Sequence, residues 1–138
     1  MQASIVSGLS DNMDRPVGVV DIGSNSVRLV VYDALSRAPT PIFNEKSMAG
    51  LGRNVAISGR LPEDGVEQAL SAMRRFRALA DIIGVETLYA LATAAARDAA
   101  NGPEFIAEAE RILRTKIELI SGEREANLAA MGVIAGMH

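Results

Sequence analysis

Val17-Gly18-Val19-Val20-Asp21-Ile22-Gly23-Ser24-Asn25-Ser26-Val27-Arg28-Leu29-Val30-Val31-Tyr32 sets two β-rich apolar runs on either side of a short polar bend. Val17 to Val20 has the continuous apolar character of a buried strand. Val27 to Tyr32 is a second such run, with Arg28 placed to face solvent. So tight a connection predicts an antiparallel hairpin. Gly, Ser, Asn and Asp are ordinary turn residues, so the bend reads first as a plain hairpin turn. The same residues also suit an oxyanion. Gly23 permits positive φ and close approach of backbone to a ligand. The amides of Ser24, Asn25 and Ser26 can converge on phosphate oxygens, with the hydroxyls and the Asn25 side chain as further neutral donors. Asp21, at the end of the first strand, would face that ligand. A carboxylate and a phosphate sit together only with a cation between them, and Mg²⁺ is commonly held so, often through water.

Working outward, Ala38-Pro39-Thr40-Pro41 interrupts the chain, and Ile42 to Met48 predicts a weaker third strand ended by Gly50-Leu51-Gly52. Pro62 suits the first position of a helix, with Glu63 and Asp64 favourable in its first turn. Val66, Ala69, Leu70, Met73, Phe76, Ala80 and Ile83 recur at helical spacing, and Gly84 stops them. Glu86 to Thr93 predicts a strand, Ala94 to Ala100 a short helix, and Pro103 opens a further helix with Phe105, Ile106, Ala109, Ile112 and Leu113 on one face. Lys116 to Ile120 predicts a short strand and Gly122 to Met137 a last helix. The order is three strands, helix, strand, helix, strand, helix. It implies an α/β domain with a mixed five-stranded sheet, its front hairpin antiparallel and its later strands joined by crossovers.

The 138 residues suffice for one domain with a real core. Hydrophobic residues make up 49% and charged residues 22%, as in ordinary globular proteins. Net charge is −3 and aromatic content 4%, without a basic block, which argues against a general nucleic-acid binder. No run is long enough for a membrane span. Residues 1–15 lack the features of a signal peptide and read as a disordered tail before a domain at 16–138. Cysteine is absent, compatible with a reducing cytoplasm. His138 is the only histidine, so neither a histidine triad nor a zinc site is supported, and no Gly-x-x-x-x-Gly-Lys-Ser/Thr loop is present. Arg74, Arg75 and Arg77 read as a solvated helix face.

Four stretches together carry a resemblance. "VGVVDIGSNSVRLVVYD" resembles the first phosphate loop of the actin-like ATPase superfamily. Its Asp-x-Gly-Ser-Asn-Ser form is similar to that of the exopolyphosphatase/guanosine pentaphosphate phosphohydrolase family. "GLGRNV", "ALATAAARDAANGPEF" and "IELISGEREANLAAMGV" follow in the family's order. The resemblance implies an actin-like, ribonuclease-H-like domain from a hydrolase that releases terminal phosphate from polyphosphate or guanosine pentaphosphate. It implies Mg²⁺ as cofactor, a homodimer at full length, and a second domain whose Asp-x-Gly-Gly-Gly-Ser loop would follow residue 138. On that reading this chain alone holds half of a phosphate clamp.

The resemblance also implies roles. Glu125, just before Ala126, is the expected base for the attacking water, with Arg97 near the active site to orient Glu125 or bind phosphate. Gly23, Ser24, Asn25 and Ser26 hold phosphate and Asp21 the metal. Local readings stand beside these. Glu123 and Glu125 would also complement a helix N-terminus, Arg97 would also pair with Asp98 or Glu104, and Asn101 would cap the next helix. The family often has an acidic residue before its glutamate, where this chain has Arg124. An actin-like sugar kinase or ATPase, and a non-catalytic domain binding a phosphorylated ligand or partner, are the competing functions.

Overall fold

The computed structural model describes residues 15–34, 38–93, 96 and 98–120. The expected tail up to residue 14, Arg97, and the last helix with Glu125 lie outside the described residues.

The opening segment forms the predicted hairpin. Strand β1 (Val17–Ile22) runs antiparallel to β2 (Ser26–Tyr32), with Val17 opposite Tyr32 and Ile22 opposite Val27. Strand β3 (Pro41–Met48) continues the antiparallel pairing along β2, and its first residue shows why it reads weakly: a proline is tolerated at the start of an edge strand. A short helix α1 (Val55–Ser58) follows, then the long helix α2 (Glu63–Ile83). Strand β4 (Thr87–Ala92) returns to lie parallel to β1, helix α3 (Gly102–Leu113) crosses back, and β5 (Ile117–Leu119) lies parallel to β4. The sheet order is β3-β2-β1-β4-β5, so β1 is central. This is the mixed five-stranded sheet that the alternating pattern implies. Helix α1 is the addition. At four residues it is little more than one turn and none of them is buried, so no periodic signal exists to read.

The strand period of two sorts side chains onto two faces. Val20 and Ile22 of β1, Val27, Leu29 and Val31 of β2, and Leu88, Ala90 and Ala92 of β4 point to one face. There they meet Ala69, Ala72, Met73, Phe76 and Ala80 of α2 and Phe105, Ala109 and Leu113 of α3 in one continuous core. Small residues on α2 let it lie close to the sheet, with Phe76 fully buried as the largest anchor. Burying a side chain of that size stabilises by about 1.5–3 kcal/mol. Val19, Leu91 and Ile120 form a smaller cluster on the opposite face. By the same alternation Asp21 belongs to that second face, with Arg28 directly opposite on β2.

Because β1, β4 and β5 are parallel, their carboxyl ends lie at the same end of the sheet. Thr93 N donates to Ile22 O at 3.2 Å and Ile120 N to Ala92 O at 2.9 Å, so the three chain exits are stitched side by side. Ligand sites in open α/β sheets collect at such an end.

Candidate functional site

The bend between β1 and β2 is closed by Gly23 N donating to Ser26 O at 2.9 Å. Ser24 and Asn25 are exposed at its tip. The glycine is not there for a left-handed conformation, contrary to expectation, since Gly23 is not among the positive-φ residues. Space explains it better: a Cβ on Gly23 would stand 3.2 Å from Ser26 O, tighter than side chains ordinarily tolerate. Gly23 N is also spent inside the turn, so of the expected donors the amides of Ser24, Asn25 and Ser26 are left.

What orients those amides is a strap that the sequence reading treats only as the end of the third strand. Ala49 N and Gly50 N both donate to Asn25 O, at 3.1 and 2.9 Å, and Gly52 N donates to Ser24 O at 2.8 Å. A trans peptide is planar with its C=O and N–H pointing in opposite directions. Fastening Ser24 O to the strap therefore turns Asn25 N–H away from it, and fastening Asn25 O turns Ser26 N–H away. Among the described residues the amides of Ser24 and Asn25 donate to no carbonyl. The tip thus offers outward main-chain donors on a braced loop, as oxyanion nests do.

The strap has its own anchors. Leu51 is 1% exposed and belongs to the main core. Gly50 adopts φ +66°, where glycine carries no Cβ penalty. A Cβ on Gly52 would stand 2.8 Å from Ser24 Cβ, so only glycine lets the strap lie flat against the turn. Arg53, next along, donates from one guanidinium nitrogen, Nη2, to both carboxylate oxygens of Asp64 in the first turn of α2, at 2.6 and 2.7 Å. That hydrogen-bonded guanidinium holds the Asp64 carboxyl below the usual carboxylate range.

Asp21 is 8% exposed at the end of β1. Arg28, half-buried rather than solvent-facing, lies across from it. Burial raises the Tyr32 phenol above its ordinary value while the positive Arg28 pulls it back. Among the described residues no group of three His, Cys, Asp or Glu side chains could enclose a metal. A single carboxylate beside outward amides still fits Mg²⁺, which keeps several waters and is held by one or two carboxylates plus substrate phosphates.

Arg97 and Glu125 lie outside the described residues; the strands that lead towards them do not. Arg97 is four residues after Thr93 and Glu125 five after Ile120, and both departure points are stitched to the carboxyl end that carries the turn. Asn101 does not cap α3 with its side chain. Instead its Oδ1 accepts from Leu61 N at 2.7 Å and its Nδ2 donates to Leu61 O at 3.1 Å. Ala100 N donates to Gly59 O at 2.7 Å beside it. Asn101 therefore locks the loop after α1 onto the segment that follows β4.

The sequence model of the Ppx/GppA phosphatase family matches residues 29–138. The chain belongs to the Ppx/GppA phosphatase family. The match begins just past the turn, so membership rests on the body of the domain and not on the polar bend alone. Among relatives of this Ppx/GppA chain, Exopolyphosphatase 1 of Mycobacterium tuberculosis is 31% identical over 118 residues, 85% of this chain and 34% of that protein. Guanosine-5'-triphosphate,3'-diphosphate pyrophosphatase of Aeromonas hydrophila is 32% identical over 114 residues, 83% of this chain and 23% of that protein. The crystal structure of the Aquifex aeolicus Ppx/GppA family member superposes with a TM-score of 0.78 at 33% identity, covering 86% of this chain and 39% of that one. The ethanolamine utilization protein EutJ of Carboxydothermus hydrogenoformans shares the fold alone, at 17% identity and a TM-score of 0.52. The fold is actin-like. The Ppx/GppA chain spans about a third or less of the length of the curated relatives it matches.

Proposed function

We propose that the full-length protein is a phosphoanhydride hydrolase that removes the terminal phosphate from inorganic polyphosphate or guanosine pentaphosphate, and that this chain supplies the first half of its phosphate clamp. The observation that carries the reading is the strapped turn: Ser24 and Asn25 have their carbonyls tied to Gly52, Ala49 and Gly50, which leaves outward amides at the carboxyl end of the sheet.

Those amides, with the Ser24 and Ser26 hydroxyls, hold the terminal phosphate and fix the direction of its scissile bond. Fixing geometry in this way supplies much of the catalysis in phosphoryl transfer. Asp21 would hold Mg²⁺, whose charge would offset that of the phosphate oxygens. Glu125 accepts a proton from water in line with the phosphorus–oxygen bond, and Arg97 orients Glu125 or meets a phosphate oxygen with its planar fork. The second actin-like domain, with a glycine-rich loop of its own, completes the clamp. The natural setting is the cytoplasm and the assembly a homodimer.

The test is Glu125→Gln in the full-length protein, assayed for phosphate release from polyphosphate with Mg²⁺. Loss of a general base lowers kcat by about 10²- to 10⁴-fold. Unchanged turnover would remove Glu125 from the mechanism. A second assay compares this chain by itself with the full-length protein, where robust release by the chain alone would refute the half-clamp.

A further inference from the structure

We propose that Thr93 is a further phosphate-binding residue, whose hydroxyl donates to an oxygen of the phosphate held by the turn and closes the clamp on the β4 side. The inference rests on the phosphate-binding reading of Ser24–Ser26 and adds a side chain to it.

The direction of the turn's amides selects the place. The strap leaves from the end of β3, and β3 and β2 lie on one side of β1 in the sheet while β4 lies on the other. With the carbonyls of Ser24 and Asn25 tied to the strap, the amides of Asn25 and Ser26 face the opposite way. On that side the nearest chain in the sheet is the exit from β4. Thr93 N donates to Ile22 O at 3.2 Å, and the parallel register that sets Ile22 beside Ala92 brings Thr93 abreast of Gly23. Neighbouring strands run about 4.8 Å apart, so an oxyanion lying over the two exits is within reach of both.

The face is the right one as well. Ala92 points into the core beneath α2 and α3, and Leu91 to the other side. By alternation Thr93 turns its side chain to the face of Leu91 and Asp21. Gly23, beside it, carries no side chain, and a Cβ there would meet nothing within 4 Å but Ser26 O, so the space between Thr93 and the turn is open. A local capping role does not use up the hydroxyl. The bend after β4 is closed by main chain, Ala96 N donating to the Thr93 carbonyl at 3.2 Å, and among the described residues Thr93 Oγ1 makes no hydrogen bond. Thr93 is half-buried, and its β-branch restricts χ1, so the hydroxyl is held to few directions. The turn grips a tetrahedral anion from one side with amides, and Thr93 adds a neutral donor from another.

The test is equilibrium binding of orthophosphate to the full-length protein, for wild type, Thr93→Val and Thr93→Ser, with thermal unfolding recorded for each. Thr93→Val keeps the shape and removes the donor, and is expected to weaken binding about tenfold with the Tm little moved. Thr93→Ser keeps the donor and is expected to stay within about twofold of wild type. Wild-type affinity in Thr93→Val, or a loss in Thr93→Ser as large as in Thr93→Val, would overturn the role of the hydroxyl while leaving the turn in place. Failure of the wild type to bind orthophosphate would sink the turn and this contact together.

Discussion

The two ends of the sheet are built from the same strands but finished differently. At the amino ends of β1, β4 and β5, side chains close the chain's own polar groups. Arg77 donates to Leu113 O at 3.0 Å and to Asp81 at 2.6 Å, and Arg114 reaches the same Asp81 at 3.1 Å. Thr115 Oγ1 donates to Leu88 O at 3.0 Å, Ile117 N to Glu110 at 2.7 Å, and Arg15 pairs with Glu86. At the carboxyl ends, backbone fastens the turn and the chain exits, strap to turn, β4 exit to β1, β5 exit to β4, with the Arg53–Asp64 and Asn101–Leu61 side-chain contacts alongside. Side-chain closure uses up donors against local acceptors. Backbone closure ties carbonyls and leaves the opposite amides outward. The comparison teaches why one end has its donors closed while the other keeps outward amides.

The strongest way to break that contrast is Gly52→Val. The new side chain collides with Ser24 and lifts the strap from the turn. Displacing positioning groups by about 1 Å can cost about 10²-fold in rate. Phosphate release by the full-length protein is expected to fall by that order while the far-UV spectrum of the fold persists. Wild-type turnover would show that the strap does not position the donors.

Asn101→Ala sharpens the contrast from another direction. It strips both partners from the Leu61 backbone, part-buried groups whose loss costs about 1–3 kcal/mol. Chemical denaturation should show that loss. Asn101→Asp keeps an acceptor for Leu61 N but no donor for Leu61 O, and should fall between the two.

The smallest effect belongs to the amino end of the sheet. Asp81 has its carboxyl held below the usual carboxylate range by hydrogen bonds from Arg77 and Arg114. A depressed folded value contributes stability above the unfolded value, near 3.9, that is lost as pH falls through the folded one. Asp81→Asn should therefore lower the Tm slightly at neutral pH and converge with wild type in acid, with catalysis unchanged. Altered phosphate release in this variant would show that the two ends are coupled.

Much of the frame was legible because its signals are local. Strand alternation in β1 and β2, the helical spacing of Ala69, Met73, Phe76 and Ala80, the stop at Gly84 and the start at Pro103 each depend on residues a few positions apart. Ser24 and Asn25 were legible as donors by type. The strap was not, because Gly50 and Gly52 reach across more than twenty residues through main-chain atoms that carry no side-chain signature. Asn101 was misread for a related reason. A local capping rule competed with a backbone target forty residues away, and the distant target won.

The amino-acid order alone determined the five strands, the two long helices α2 and α3, the family, and which residue types stand at the bend, since periodicity and composition are properties of short windows. Only the folded arrangement decided which way the bend's amides point, because that direction is set by carbonyls tied to a loop beyond β3. Only it placed Asp21 on the face away from α2 and α3, through the two-residue period of a strand whose neighbours are distant in the chain.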